Sequence, residues 1–324
     1  SELNDVKDTL QGGNEASIIA AAVRVFRWSE LKAATNNFSD GNIVGRGGFD
    51  TVYKGTLNDG NMVAIKINDC KRSPWAHHYD QLFLVSKLQH KNIVKAVGYC
   101  HKVLPTSVVQ LFKRKKGRAK EKEFIWVEEY VSNGSLEKTI HESQLDWSSI
   151  FCIIEGIAQG LHYLHEQRIV HLDVKPANIL LDFDMNPKLI DFDLAILLDD
   201  NDEVTCGSVG GTIGYMAPEL YIGSTVSRKT DVYALGITLL ATICVMCRSK
   251  PYDHVLERAW KAWEAGRIEE EFDPSLFDMS QLTEIKRCVQ LGLVCAQPNP
   301  VDRPIMADVL SMLNGEKELP TPNN

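Results

Sequence analysis

The sequence lacks most of the features that assign a chain to a specialised class at a glance. Its longest apolar run, 232–247, holds about 16 residues, includes Gly236, and falls short of the ~20 residues that span a bilayer. The run reads as a helix buried in a protein core. No N-terminal stretch combines a charged start, an apolar centre and a small-residue cleavage site, so a signal peptide is not expected. A basic excess is missing too: 35 Lys and Arg stand against 43 Asp and Glu, a formal net charge of -8. That excludes a general nucleic-acid binder, which needs a basic surface to neutralise phosphates. Internal repeats and low-complexity tracts are absent. The eight cysteines are scattered at 70, 100, 152, 206, 244, 247, 288 and 295. Cys244 and Cys247 form one C-x-x-C, but no second pair and no histidines at ligand spacing follow, so a zinc site is not expected. The thiols read as buried and reduced, as in an intracellular protein.

What is present is a globular balance, 44% hydrophobic and 24% charged over 324 residues. That is enough chain for two packed lobes. Residues 1–25 lack punctuation and read as a loose lead-in. A short helix is expected over 26–38, with Leu31 and Ala34 on one face and turn-like Asn36-Asn37 and Asp40-Gly41 closing it. Residues 43–67 alternate like strands, with a hairpin turn at Asn58-Asp59-Gly60. Leu82, Val85 and Leu88 give 76–90 a helical spacing. Strands are expected at 94–100 and 124–130. Between them, 113–122 carries Lys113, Arg114, Lys115, Lys116, Arg118, Lys120 and Lys122. That segment offers peripheral contact to an acidic partner or anionic lipid; the plainer reading is a solvated hairpin tip. Beyond 135 the signals turn helical, at 136–141, 147–167, 232–247, 257–265, 281–296 and 304–314. A strand-rich third thus precedes a helix-rich remainder.

Four segments carry chemistry. Gly45-Arg46-Gly47-Gly48-Phe49-Asp50-Thr51-Val52 is a glycine run with strand signals on both sides. A dinucleotide site would need a helix after the glycines and an acidic residue ~20 positions on. A glycine turn between strands can fold over phosphates, because glycine lets backbone approach closely; a plain hairpin turn is the rival reading. In Val63-Ala64-Ile65-Lys66, a lysine at the inward end of an apolar strand needs an anionic partner such as a phosphate, unless it snorkels to the surface. His171-Leu172-Asp173-Val174-Lys175-Pro176-Ala177-Asn178 places a base, a phosphate contact and a metal ligand in one loop. Asp191-Phe192-Asp193 follows apolar Leu189-Ile190, and a carboxylate at a strand end suits magnesium.

In this order and spacing the segments resemble the protein-kinase family, and specifically the cytoplasmic kinase domains of plant receptor-like kinases. Further matches are Gly211-Thr212-Ile213-Gly214-Tyr215-Met216-Ala217-Pro218-Glu219, Asp231-Val232-Tyr233-Ala234-Leu235-Gly236 and Asp302-Arg303-Pro304. The lead-in Phe26-Arg27-Trp28-Ser29-Glu30-Leu31, with Ala34-Thr35-Asn36-Asn37-Phe38, is similar to those kinases as well. The resemblance covers about residues 26–315.

It implies an α+β, bilobal protein-kinase fold, with a β-rich N-lobe carrying one main helix and an α-helical C-lobe. The implied boundaries are a juxtamembrane-like segment at 1–42, an N-lobe at 43–131, a C-lobe at 132–316 and a tail at 317–324. The implied function is a serine/threonine kinase that uses ATP and Mg2+ in plant receptor-type signalling, Lys175 being the serine/threonine-type residue. Asp173 would accept or orient the substrate hydroxyl proton. Asn178 and Asp191 would hold magnesium, and Lys66 would grip the α/β-phosphates under the loop 45–50. Val44, Val52, Ala64 and Leu180 would sandwich adenine, with Glu128 at the back of its pocket. Glu129 and Val131 would present backbone groups to it. Glu219 and Arg303 would form a buried ion pair, and Asp231 would brace the catalytic loop. The partner would be a protein substrate or another receptor or kinase. The location would be cytoplasmic, as the intracellular part of a plasma-membrane receptor-like protein.

Five positions depart from the family pattern. Asp50 replaces the third loop glycine; a carboxylate there repels phosphate by about 4 kcal/mol at ~4 Å and an effective dielectric of ~20, unless it points outward. Gln81 takes the helix position that usually offers a glutamate to the strand lysine; neighbouring Asp80 faces another way. Leu172 replaces the arginine that captures an activation-loop phosphate, so phosphorylation at Thr205 or Ser208 is expected not to gate activity. Asp193 replaces a glycine next to the metal site. Glu128 replaces a bulky or apolar residue, and is expected to pair with Lys66 if the strand register puts them on one face. These departures keep a second function in view: a pseudokinase scaffold that binds a partner kinase or immune receptor with little phosphoryl transfer.

Overall fold

The computed structural model describes residues 23–47, 50–68, 84–103, 122–142, 145–207, 209–247 and 254–323. They fall into two compact units, one formed by 1–89 and 94–130, the other by 90–93 and 131–324. The expected helix at 76–90 is described only from residue 84. Gly48, Phe49, Asp80, Gln81, Ser208 and the basic segment, apart from Lys122, lie outside the described residues.

The first unit is a six-stranded sheet in the order β1-β5-β6-β4-β3-β2. Its strands are β1 (Arg24–Val25), β2 (Ile43–Arg46), β3 (Asp50–Thr56), β4 (Met62–Asn68), β5 (Ala96–Val103) and β6 (Lys122–Glu129). Period-2 alternation sorts their side chains into two faces. One face turns Val63, Ile65, Ile125 and Val127 into an apolar core with Phe26, Leu31, Leu57 and Cys100. The other carries Asp50 and Val52, Ala64 and Lys66, and Trp126 and Glu128, because Val52 and Trp126 both pair with Lys66 and Glu128 pairs with Ala64.

Helix α1 (Trp28–Ala34) closes the core with Leu31. It is terminated by a left-handed run, Asn36, Asn37 and Phe38 at φ 50°, 60° and 52°. Thr35 Oγ1 donates to Leu31 O at 2.8 Å and accepts from Phe38 N at 3.0 Å, which turns Phe38 back to stack on Trp28 at 4.6 Å. Of the expected lead-in, only residues 23–25 are described. Arg24 and Val25 form β1, parallel to β5, opposite Gly98 and Tyr99. A side chain at Gly98 would collide with Arg24 O and the Phe26 ring, so the missing Cβ is what admits the extra strand.

The second unit is mainly helical: α2 (Leu136–Glu142), α3 (Trp147–Glu166), α4 (Pro218–Ile222), α5 (Arg228–Ile243), α6 (Val255–Glu264), α7 (Leu282–Cys295) and α8 (Met306–Leu313). Three two-stranded pairs join loops between helices: β7 (Ile169–Val170) with β10 (Ile196–Leu197), β8 (Ile179–Leu181) with β9 (Pro187–Leu189), and β11 (Glu203–Thr205) with β12 (Thr225–Ser227). Asp146 starts α3 by accepting from Ser149 N at 2.8 Å, and the Ser149 hydroxyl, with this backbone bond second, holds its carboxyl below the usual carboxylate range.

The apolar run at 232–247 is α5 and the turn after it. Among the described residues, Arg228–Met246 is long and apolar enough to cross a membrane, but 89% of it is buried inside the unit, as in a core helix. Gly236 explains how it packs: a Cβ there would lie 2.6 Å from Gly292 O of α7, so only glycine lets these two backbones meet. A buried ion pair joins α4 to the segment before α8. Arg303, 1% exposed, places Nη1 and Nη2 on the Glu219 carboxylate at 2.7 and 2.9 Å. Its remaining N–H groups go to the carbonyls of Gln297, Lys229 and Pro298, so all five donors are used.

Candidate active site

The catalytic-loop residues sit together in the second unit between β7 and β8. The loop is fixed from beneath by Asp231 near the start of α5, which is fully buried. Its carboxylate accepts from His171 N at 2.8 Å and Leu172 N at 2.9 Å, and His165 Nε2 lies 3.1 Å away. His171 Nδ1 accepts from Asp173 N at 3.3 Å while Nε2 faces Ile190 O at 2.9 Å. Those two contacts select the tautomer protonated at Nε2. They also lash the catalytic loop to the segment that carries Asp191.

Asp173 is 9% exposed and fully engaged. Asn178 Nδ2 donates to its backbone oxygen at 2.9 Å and to Oδ2 at 2.7 Å. Lys175 Nζ donates to Oδ2 at 2.8 Å and to Thr212 Oγ1 at 2.6 Å. Thr212 Oγ1 donates to Oδ1 at 2.7 Å. The result is a carboxylate held in one orientation beside a compensating ammonium. Thr212 was visible in the sequence only as part of the 211–219 segment; its contact with Asp173 spans 39 residues.

The residues expected to hold metal fit a hard cation. Asn178 gives its amide N–H groups to Asp173, so Oδ1 is the atom it could offer a cation. Asp191 stands next to Ile190, whose N–H donates to Asn178 O at 3.0 Å, so one backbone bond holds the two together. Asp191 is at φ 64°, a strained backbone for a non-glycine residue and one that functional sites retain. Among the described residues no group of three or more His, Cys, Asp or Glu could hold a metal ion. A single carboxylate with one amide oxygen suits a metal that takes its remaining ligands from phosphate and water. Asp193 does not share the left-handed backbone of Asp191, so its turn does not require the glycine that it replaces.

In the first unit, Lys66 is 9% exposed, and the carboxylate set against it is Asp50, with Oδ2 at 3.1 Å from Nζ. Asp50 does not point outward; β3 pairs it with Asn68, one step along the same face from Lys66. Gly47 N donates to Asp50 O at 2.9 Å. Glu128 lies on the same face, as its pairing with Ala64 requires, and its Oε1 accepts from Trp126 Nε1 at 2.7 Å. Asp50 thus supplies Lys66 with a counter-charge that the sequence did not lead us to expect.

Val52 and Ala64 are half-buried on this face, while Val44 is 50% exposed; Gly45 and Arg46 lie in β2. Glu129 N–H goes to Lys95 O at 3.0 Å, and its side chain accepts from Lys95 N at 2.9 Å. Val131 is buried and Leu180 half-buried, both in the second unit.

Leu172, where an arginine was expected, is 6% exposed and sits in an apolar cluster with Val170, Leu198, Ala217, Leu220 and Val226. Leu194, Val204, Cys206, Val209 and Met216 of the following segment pack against it. That segment is also held electrostatically: Arg168 Nη1 meets Asp200 at 2.7 Å, and Arg228 meets Asp202 at 3.1 Å. Thr205 is exposed in β11, paired with Thr225.

A strand-rich unit with a buried lysine, followed by a helical unit presenting this Asp–Lys–Asn loop and the nearby Asp191, defines the class. The family model described as protein kinase domain matches residues 38–312, and the chain belongs to that family, whose members use ATP and a divalent metal. Among its relatives is cysteine-rich receptor-like protein kinase 6 of Oryza sativa subsp. japonica, 37% identical over 299 residues, covering 88% of this chain and 40% of that protein. A G-type lectin S-receptor-like serine/threonine-protein kinase of Arabidopsis thaliana is 37% identical over 325 residues, covering 97% of this chain and 37% of its own. Cysteine-rich receptor-like protein kinase 19 of Arabidopsis thaliana is 36% identical over 326 residues, with coverages of 96% and 47%. The chain thus spans less than half the length of these curated relatives.

Proposed function

We propose that the chain is a serine/threonine protein kinase that moves the γ-phosphoryl group of ATP to a protein hydroxyl. The observation that carries this reading is the arrangement around Asp173. Its carboxylate is oriented by Asn178 and Thr212 and charge-compensated by Lys175. In phosphoryl transfer the protein does little covalent work; it positions groups and offsets charge. Asp173 accepts the hydroxyl proton, and Lys175 steadies negative charge as it develops. Asn178 and Asp191 hold Mg2+, which when bound neutralises phosphate charge. Lys66 contacts the α/β-phosphates beneath the loop 45–50. Val44, Val52, Ala64 and Leu180 enclose adenine, with Glu128 behind it and the Glu129 and Val131 backbone at its edge.

The relatives are all named as kinases and do not favour the scaffold reading. Their receptor-like names support a location at the cytoplasmic face of the plasma membrane, with a protein as the acceptor. The test is labelled-phosphate transfer by the wild-type chain and Asp173→Asn, beside thermal shifts with ATP, with and without Mg2+. A ligand that binds the folded state raises the melting temperature by mass action. The expected result is a Mg2+-dependent shift in both chains and transfer in the wild type alone. No shift and no transfer would leave the scaffold reading in its place.

A further inference from the structure

The C-x-x-C pair takes no part in the site above, yet it has a setting of its own. After α5 ends at Ile243, a 3-10 turn, Cys244–Met246, follows, and Cys247 N donates to Cys244 O at 3.0 Å. A turn of this kind brings Cα atoms three residues apart to within about 7 Å, and a disulfide spans roughly 4.4–6.8 Å. From α6, Arg258 brings Nη1 to 3.8 Å from Cys244 Sγ, while its Nη2 holds Glu271 at 2.8 Å. Both cysteines, Arg258 and Glu271 line one cavity of about 40 Å³, whose other walls are apolar and include Leu240 and Phe272. A molecule little larger than water fits there. Cys244 is 3% exposed and Cys247 is partly exposed, so the pair has a solvent-facing side.

The remaining described thiols differ. Burial pushes Cys288 and Cys295 up to about 12, and Cys152 is exposed. Cys244 is instead held below the ordinary thiol value, first by the Cys247 hydrogen bond and then by the Arg258 charge, which together outweigh its burial. Cys247 is held above that value, first by its interaction with Cys244 and then by burial.

We propose that Cys244 and Cys247 form a peroxide-reactive dithiol, a modification site in which Cys244 attacks and Cys247 resolves. The Cys244 thiolate sulfur attacks one oxygen of hydrogen peroxide. The O–O bond breaks, hydroxide leaves and is protonated by solvent, and Cys244 is oxidised to a sulfenic acid. The Cys247 sulfur then attacks the sulfenic sulfur as its own proton goes to the leaving hydroxyl. The S–O bond breaks, water departs and the S–S bond forms. In sum, two thiols lose two hydrogens and one peroxide is reduced to two waters. Arg258 acts by favouring the attacking thiolate, and Glu271 keeps Arg258 in place.

The test is to treat the reduced chain with a small excess of hydrogen peroxide and follow each cysteine by alkylation and peptide mass. The peptide or linked peptides bearing Cys244 and Cys247 should lose two hydrogens about tenfold faster than exposed Cys152 is oxidised. In Cys247→Ser, a dimedone-type probe should capture a sulfenic acid at Cys244. Arg258→Gln should slow disulfide formation about tenfold. Oxidation of Cys152 while the pair stays reduced would overturn the proposal, and that measurement needs no variant to fold. Absence of sulfenic acid in Cys247→Ser of native circular dichroism would do the same.

Discussion

Asp173 and Lys66 are equally buried and meet their counter-charges in opposite ways. Around Asp173 the second unit gathers an ammonium, an amide and a hydroxyl, and each contact leaves the carboxylate a base in a fixed orientation. Around Lys66 the first unit supplies Asp50 at 3.1 Å, so the lysine that should meet phosphate already faces a carboxylate of its own chain. With an effective dielectric of ~20 such a pair attracts by about 5 kcal/mol, much of it cancelled by desolvation. The difference separates two requirements of phosphoryl transfer. Under the proposed function, the side that would meet the acceptor is assembled, while the grip on the donor would compete with a resident anion.

The comparison can be broken most severely at Asp173. Replacing it with Asn should lower transfer by roughly 10²–10⁴-fold, read with labelled ATP, while ATP affinity stays within about threefold. Next in size is Glu219→Gln, which leaves the Arg303 guanidinium buried without its charge partner. Urea unfolding should show a loss of about 3–5 kcal/mol, a purely architectural effect that sets the scale for the others. Leu172→Arg puts a charge into an apolar cluster and should cost at least ~2 kcal/mol by the same assay. Asp50→Gly should tighten ATP binding about tenfold, worth ~1.4 kcal/mol, by releasing Lys66. Phosphorylation of Thr205 should change the transfer rate least, by under about twofold. The segment is held by apolar packing on Leu172 and by Asp200 and Asp202 on Arg168 and Arg228, not by a phosphate dock.

Much of this was legible in the sequence where the signal is local. Period-2 alternation over 43–67 places Val63 and Ile65 in the core and Lys66 on the opposite face, and the same rule puts Glu128 beside Lys66. The direction of Asp50 was not legible. Its contact depends on how far β3 slides against β4 and on the closing Gly47–Asp50 bond, neither of which composition encodes. Thr212 and Arg258 were missed for a related reason: each meets its partner from a distant part of the chain, where no spacing rule reaches. A strand of only two residues, Arg24–Val25, carries too little pattern to announce itself; the missing side chain at Gly98 marks it in retrospect.

Asp50 should act on nucleotide binding through Lys66, and a double-mutant cycle on Mg2+-ATP affinity tests that directly. Binding is titrated for the wild type, Asp50→Gly, Lys66→Met and the double variant. Asp50→Gly should tighten binding about tenfold when Lys66 is present and leave it unchanged in the Lys66→Met chain. Equal effects in both backgrounds, or no tightening in either, would contradict the claim that this carboxylate occupies the phosphate-binding lysine.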